Sequence, residues 1–338
     1  MKAIVVQQPG KATLTEIPEP TNDSGEALLQ VKMIGLCGTD LNTFRGKNPL
    51  VTFPRVLGHE VAATIIHPGA GPSEDLREGA AVTLAPYTAC GRCASCLRCR
   101  PNACTFNQTL GVQRDGALTE RIAIPAEKLY SANLSLKELC LVEPLTVGFH
   151  AAKRGRVTNR DTVAVFGCGG VGLGAISAAA FHGARVIAID MDDAKLEIAR
   201  KAGATALIHS SKEDLHQRLT ELTEERGPDC IIEAIGLAQT FRASVEEVAF
   251  TGRVVYIGYA KELVAYETSL FVQKELDIMG SRNALPEDFR EVIRMLEEKR
   301  FPVADVISAV MPIEETPDIL RQWSENPAAF TKIIVQVS

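Results

Sequence analysis

The sequence predicts an α/β fold: a doubly wound parallel sheet with helices on its faces, joined to an irregular, mainly-β domain. Three observations predict it. At 338 residues the chain is too long for one compact core and suits two domains. From Thr162 onward, short apolar strands alternate with amphipathic helical stretches, the pattern of a parallel sheet with crossover helices. Up to about residue 148 the chain shows β-like runs broken by Gly and Pro, with little sustained helical period.

The elements follow in order. Residues 27–34, 60–66 and 80–84 read as strands, with Pro68 and Gly69 marking a turn. The texture changes after Pro144. Residues 162–166 form a strand, a helix runs on to His182, 184–190 is the next strand and 194–202 the next helix. Strands at 230–234 and 253–258 flank a helical run at 241–250. A helix near 288–298 follows, and a last strand, 332–337, returns to the first domain. There is no internal repeat and no low-complexity tract.

Composition narrows the function. Hydrophobic residues at 46% and charged residues at 23% are ordinary for a globular protein. A net charge of −6 argues against a nucleic-acid or anionic-membrane surface, either of which wants a basic field. The N-terminal MKAIVVQQPGKATL lacks the apolar core of a signal peptide. Residues 162–182 carry no charge, but Gly167, Gly169, Gly170, Gly172 and Gly174 suit a turn better than a membrane helix. Nine cysteines, five of them between Cys90 and Cys104, do not resemble a secreted disulfide framework. Zinc in a reducing cytoplasm fits better.

Gly167, Gly169 and Gly172 stand in G-x-G-x-x-G spacing, with Gly170 and Val171 completing the turn. The first glycine allows the tight turn, the second lets backbone approach a pyrophosphate, and the third permits close helix–strand packing. A helix N-terminus then offers free N–H groups to phosphates. Glycines alone make a weak signal, but a strand precedes them, a helix follows, and Asp190 closes the next strand where a ribose hydroxyl wants an acceptor. A carboxylate there repels a 2′-phosphate, and Asp192 and Asp193 add negative charge, so NAD is favoured over NADP. Asp192 and Asp193 also read as a helix N-cap and first turn.

Cys90, Cys93, Cys96 and Cys104 form C-x2-C-x2-C-x7-C, four thiolates able to close a tetrahedral zinc shell from one loop. A closed shell leaves no open position, so this site is structural; an iron–sulfur cluster is the competing reading, and Cys99 is a spare thiol. A second constellation is dispersed: Cys37-Gly-Thr39-Asp follows one β-like run and Gly-His59-Glu60 opens another. Singly, such residues are usually packed core.

These motifs, with Glu143-Pro-Leu and the glycine turn, occur in the order found in zinc-containing medium-chain dehydrogenases, which the chain resembles from first strand to last. The resemblance is strongest to the polyol and sugar-acid branch. It implies a GroES-like catalytic domain over 1–148 and 290–338 and a Rossmann domain over 149–289. It also implies a catalytic zinc faced by Cys37, His59 and Glu60, with Glu143 as a further ligand or near-ligand. Glu143 could instead be a residue at the start of a helix, and Glu60 could ligate in only part of the cycle.

Zinc with an open position lowers the pKa of bound water to about 7, and an alcohol responds in the same direction. The alcohol carbon then loses hydride to nicotinamide, with Thr39 as the hydroxyl that takes the substrate's proton; its other reading is a bond to local backbone. Many family members carry a histidine five positions after the zinc-binding cysteine. Here Asn42 stands there and cannot take up a proton, so the exit route must differ. Ala63 replaces a common glycine, a packing change.

Segments 45–49, 54–59 and 110–116 resemble a subgroup that oxidises aldonic acids such as L-gulonate, L-galactonate or L-idonate. Arg45 and Arg114 could clamp a carboxylate, and Ser281-Arg282-Asn283 lies where the family closes over nicotinamide. Rival readings are a polyol or cyclitol dehydrogenase, a threonine dehydrogenase, a catalytically silent NAD sensor, and a zinc-ribbon nucleic-acid binder hinted at by Arg92, Arg98 and Arg100. By resemblance a homodimer or tetramer is expected, joined at the sheet edge near 253–258 and 276–281.

Overall fold

The computed structural model describes residues 1–21, 25–70 and 75–338. They form two compact units, one of Met1–Glu143, Leu285–Glu297 and Val303–Ser338, the other of Pro144–Ala284 and Glu298–Pro302. The strands in chain order are β1 Lys2–Gln8, β2 Lys11–Glu16, β3 Glu26–Leu36, β4 Arg55–Val56, β5 Glu60–His67, β6 Ala81–Leu84, β7 Arg121–Pro125 and β8 Leu129–Ser131. There follow β9 Thr162–Phe166, β10 Arg185–Asp190, β11 Ala206–His209, β12 Cys230–Glu233, β13 Arg253–Tyr256, β14 Asp277–Gly280, β15 Ile307–Pro312 and β16 Lys332–Gln336.

The second unit holds a parallel sheet in the order β11-β10-β9-β12-β13-β14. Its central strands are apolar without alternation because helices cover both faces: β12 is buried at all four positions and β9 at four of five. Strand order reverses between β9 and β12, and the crevice beyond their carboxyl ends is where such sheets bind ligands. One expectation is corrected here. The segment near 253–258 is not at the edge, since β13 pairs with β12 on one side and β14 on the other. The edge at this end of the sheet is β14, because the crossover through the Ser269–Gln273 helix sets it outside β13, and β11 is the opposite edge.

The first unit is built on an antiparallel core in which β3 pairs with β5, β7 and β16. Over its first six residues β3 alternates half-buried and buried positions, the signature of a sheet with one covered face. β16 returns from the C-terminus to lie between β15 and β3, as the sequence suggested. The Leu136–Arg154 helix corrects two expectations. Helix begins before residue 148, and Glu143 lies inside it, with Pro144 in its interior, not at its start.

Candidate active site

The Gly38–Phe44 helix begins immediately after β3, and Cys37 is its N-cap. The Cys37 Sγ accepts from the Thr39 amide at 3.2 Å, and the Asp40 carboxylate accepts from the Cys37 amide at 2.9 Å. This is a capping box with cysteine in the serine position. The other Asp40 oxygen accepts from the Gly58 amide at 3.2 Å and lies 4.0 Å from His59 Nδ1. Asp40 thus ties together the segments that carry Cys37 and His59 and faces the ring nitrogen turned away from Cys37. His59 Nε2 is 3.1 Å from Cys37 Sγ. The sequence reading missed Asp40, although its spacing from Cys37 is that of a capping box.

Glu60 opens β5 opposite Gly35 of β3. A Cβ on Gly35 would fall 2.0 Å from Glu60 Oε2, so the glycine makes room for the carboxylate. Lys332, at the start of β16, donates to both Glu60 oxygens at 2.6 and 2.7 Å, and both residues are buried. Burial pushes the Lys332 ammonium down, yet Glu60, Cys37 and Glu143 outweigh it and hold its pKa above the ordinary value. Lys332 and Tyr87 were also missed from sequence; a lone charge opening the apolar run KIIV was the available signal for the first. Tyr87 donates its hydroxyl proton to Glu143 Oε1, both side chains being buried.

The ligand atoms of His59, Glu60 and Glu143 lie within 4.8 Å of one another, as do those of Cys37, Asp40 and His59, so His59 is common to two overlapping groups. The electrostatics fit a cation. Burial disfavours His59's charge, but Cys37, Asp40 and Glu143 hold its pKa well above 6.5. Burial and the neighbouring Glu60 raise Glu143 against the pull of His59 and Tyr87. Soft sulfur, imidazole and carboxylate together suit zinc. Thr39 is half-buried in the first turn of the same helix, two residues after Cys37.

Cys90, Cys93, Cys96 and Cys104 offer four sulfurs within 4.8 Å. Cys93 Sγ lies 3.5 Å from Cys96 Sγ and 3.8 Å from Cys104 Sγ. A tetrahedron with zinc–sulfur bonds of about 2.3 Å has sulfur–sulfur edges of about 3.8 Å, so the cluster already has the size of a closed zinc shell. Cys99 is exposed and outside the group.

In the second unit Gly167 takes φ +95°, and a Cβ on Gly172 would lie 1.8 Å from the Gly167 carbonyl oxygen, so both positions need glycine. A Cβ on Gly169 or Gly170 would meet nothing within 4 Å, which leaves the turn open to a ligand's approach. Val171 is half-buried in the first turn of the Gly170–Phe181 helix, whose N-cap is Gly169. Asp190 Oδ2 accepts from the Cys168 amide at 2.7 Å, and Oδ1 from the Met191 and Asp192 amides at 2.8 and 3.2 Å. A carboxylate has about four acceptor sites, so ribose hydroxyls can still be received. Asp192 caps the Asp193–Lys201 helix, and Asp193 is paired with Lys212 at 2.6 Å, which offsets its charge. Glu233, at the end of β12, was not anticipated: it is fully buried and accepts from the Ile235 and Gly236 amides at 3.0 and 2.8 Å.

The remaining expectations concern charge. Arg45 donates to the Ser324 hydroxyl and carbonyl, so its guanidinium is committed there. Arg114 is half-buried, and its Nε has no partner among the described residues. No helix among the described residues is long and apolar enough to cross a membrane.

Comparison with known proteins agrees with this arrangement. Residues 23–133 match the alcohol dehydrogenase GroES-like domain, and residues 170–298 match the zinc-binding dehydrogenase domain. An uncharacterized zinc-type alcohol dehydrogenase-like protein of Haemophilus influenzae is 34% identical over 98% of each chain. The L-galactonate-5-dehydrogenase of Escherichia coli K12 is 32% identical over 88% of each. A solved alcohol dehydrogenase of Escherichia coli CFT073, complexed with NADH, superposes with a TM-score of 0.91 at 28% identity, covering 100% of this chain and 99% of that one. With its GroES-like unit, its parallel nucleotide-binding sheet and its cysteine, histidine and carboxylate donors, the chain belongs to the zinc-type medium-chain alcohol dehydrogenase family and is a zinc-dependent oxidoreductase.

Proposed function

We propose that the protein oxidises a secondary alcohol of a sugar acid to a ketone, with NAD as hydride acceptor and two zinc ions per chain, one catalytic and one structural. The observation that carries this reading is the pair of overlapping donor groups that share His59, one with half-buried Cys37 and the other with buried Glu60 and Glu143. When bound, zinc supplies Lewis acidity to the substrate oxygen and NAD supplies the acceptor. Cys37, His59, Glu143 and Glu60, the last neutralised by Lys332, would hold the catalytic metal, and the Asp40 carboxylate lies 4.0 Å from His59 Nδ1. Thr39 receives the proton from the substrate hydroxyl and passes it to solvent, since Asn42 cannot carry it. Cys90, Cys93, Cys96 and Cys104 hold the structural ion, and their need to stay reduced supports a cytoplasmic setting.

The glycine turn and Asp190 receive the dinucleotide, and the Asp190 carboxylate favours NAD over a cofactor with a 2′-phosphate. We assign nucleotide binding to the unit of Pro144–Ala284 and the chemistry to the unit that begins at Met1. An aldonate substrate is supported by the L-galactonate relative and by Arg114, whose guanidinium could meet a carboxylate. Arg45's commitment to Ser324 favours the second reading, an uncharged polyol.

NADH formation from a panel of aldonates, polyols, threonine and simple alcohols tests the proposal. Turnover of an aldonate, abolished in Cys37→Ser and raised in KM by Arg114→Met, is the expected result. Turnover of polyols alone, indifferent to Arg114→Met, supports the second reading. Silence across the panel with NAD binding intact would leave a nucleotide sensor.

A further inference from the structure

We propose that Tyr87 is a positioning residue that fixes Glu143 at the catalytic metal centre, and that the four-cysteine loop holds Tyr87 in place. The inference rests on the metal-centre reading given above. It begins with the backbone that carries Tyr87. Ala85, just after β6, donates to the Lys128 carbonyl at 2.9 Å, anchoring the chain as it leaves the sheet. Tyr87 then pairs with Thr109 in an isolated antiparallel bridge. The Thr88 amide donates to the Gln108 carbonyl at 3.1 Å, the Leu110 amide to the Pro86 carbonyl at 3.1 Å, and the Gln108 amide to the Thr88 hydroxyl at 2.7 Å. Residues 86–88 and 108–110 are therefore the neck of a loop whose body carries Cys90, Cys93, Cys96 and Cys104.

That body has almost no core. From Cys90 to Phe106 only Asn102 and Cys104 are buried. Its shape depends on the sulfur cluster and on short bonds such as Cys90 N to Cys104 Sγ at 3.3 Å. The two strands of the neck are the two ends of that loop, so the cluster that closes it also sets their register. Tyr87 sits in the middle of the neck.

The Tyr87 side chain leaves the neck inward and donates to Glu143 Oε1. A glutamate has three side-chain torsions and loses much freedom when ordered. The Leu136–Arg154 helix fixes where the Glu143 side chain starts, but not where its carboxylate ends. The phenol engages one carboxylate oxygen, and Glu143 offers a ligand atom within 4.8 Å of those of His59 and Glu60. A buried tyrosine hydroxyl needs an acceptor, and any carbonyl would serve. Here the acceptor is a proposed ligand of the metal, so the bond bears on the metal's coordination as well as on packing. Outer partners of metal ligands act in this way, by fixing orientation.

Cobalt(II) in place of the catalytic zinc gives the test a spectroscopic readout. The visible spectrum and the rate of cobalt removal by a chelator are compared in the wild type, Tyr87→Phe, Glu143→Ala and the double variant, with loop zinc assayed separately by elemental analysis. The expected result is a changed spectrum and removal roughly 10-fold faster or more in Tyr87→Phe, with loop zinc unchanged. In the Glu143→Ala background, which has no acceptor for the phenol, Tyr87→Phe should add nothing. A wild-type spectrum and rate in Tyr87→Phe overturns the proposal, as does an equal effect in the Glu143→Ala background. Failure of the wild type to bind cobalt outside the cysteine loop would instead overturn the metal-centre reading itself. A Cys93→Ser, Cys96→Ser variant, which cannot close the loop's sulfur shell and leaves Cys37 untouched, should reproduce the Tyr87→Phe spectrum. A wild-type spectrum in that variant would sink the link between loop and centre.

Discussion

Charge balance around Glu60 shows how much one side chain decides. Its carboxylate and the Lys332 ammonium are both buried, and the lysine reaches it from β16 across the intervening strand β3. Gly35 of β3 admits the carboxylate because any side chain there would collide with it. Removing one partner of a buried pair leaves a charge without compensation and costs about 3–5 kcal/mol, whereas replacing both can be neutral. Lys332→Met is therefore expected to lose about 3–5 kcal/mol of stability, and Glu60→Gln with Lys332→Met to regain most of it. Urea denaturation of the three variants checks this. A double variant no more stable than the single one would mean that Glu60 draws its compensation elsewhere.

At the scale of elements, the dinucleotide turn was legible and the long helix was not, for physical reasons. The turn is local: strand, glycines and helix follow one another within about twenty residues, and each glycine has a distinct steric task. Gly172→Ala should collapse the turn, because its Cβ would lie 1.8 Å from the Gly167 carbonyl oxygen. Gly169→Ala should fold normally, since φ is −74° and nothing lies within 4 Å, yet it should weaken NAD binding by roughly 10-fold or more, about 1.4 kcal/mol. Thermal melts and NAD titration separate the two, and equal loss of stability in both would contradict the steric argument. The Leu136–Arg154 helix hid because the residues around Glu143 are buried almost without a break, which erases the 3.6-residue period, and Pro144 reads as a break. The Glu60–Lys332 pair hid because it joins residues 272 apart. Strand order, too, is set by crossovers that periodicity does not record, which is why β13 was taken for an edge. A pH dependence belongs at this scale as well. Asp161, just before β9, resists burial's upward push because Arg253 of β13 and Thr158 hold its pKa below 3.8. A depressed carboxylate contributes stability that is present above its unfolded pKa and lost as pH falls through the folded value. Asp161→Asn should therefore lower stability at neutral pH and flatten the acid limb of the stability profile. Melting curves that kept the wild-type acid limb would refute this.

For the molecule as a whole, the β14 edge of the nucleotide sheet bears on assembly. β14 pairs on one side only, and three of its four residues are exposed, including Ile278 at 41%. Tyr259 at 78%, Leu263 at 100% and Val272 at 83% are exposed in the segment that leads from β13 to β14. An unpaired edge with apolar side chains is a template for another strand. In a two-fold homodimer the same edge meets itself, so β14 would pair antiparallel with its copy and extend the sheet without leaving a new edge at the join. We therefore expect a homo-oligomer assembled through β14. Ile278→Lys places a charge on that edge and should shift the mass in light scattering toward the monomer while NAD binding persists, because Ile278 lies outside the glycine turn and Asp190. A wild type already monomeric at working concentration would refute the assembly. An Ile278→Lys variant that keeps the oligomer's mass would move the interface to another surface.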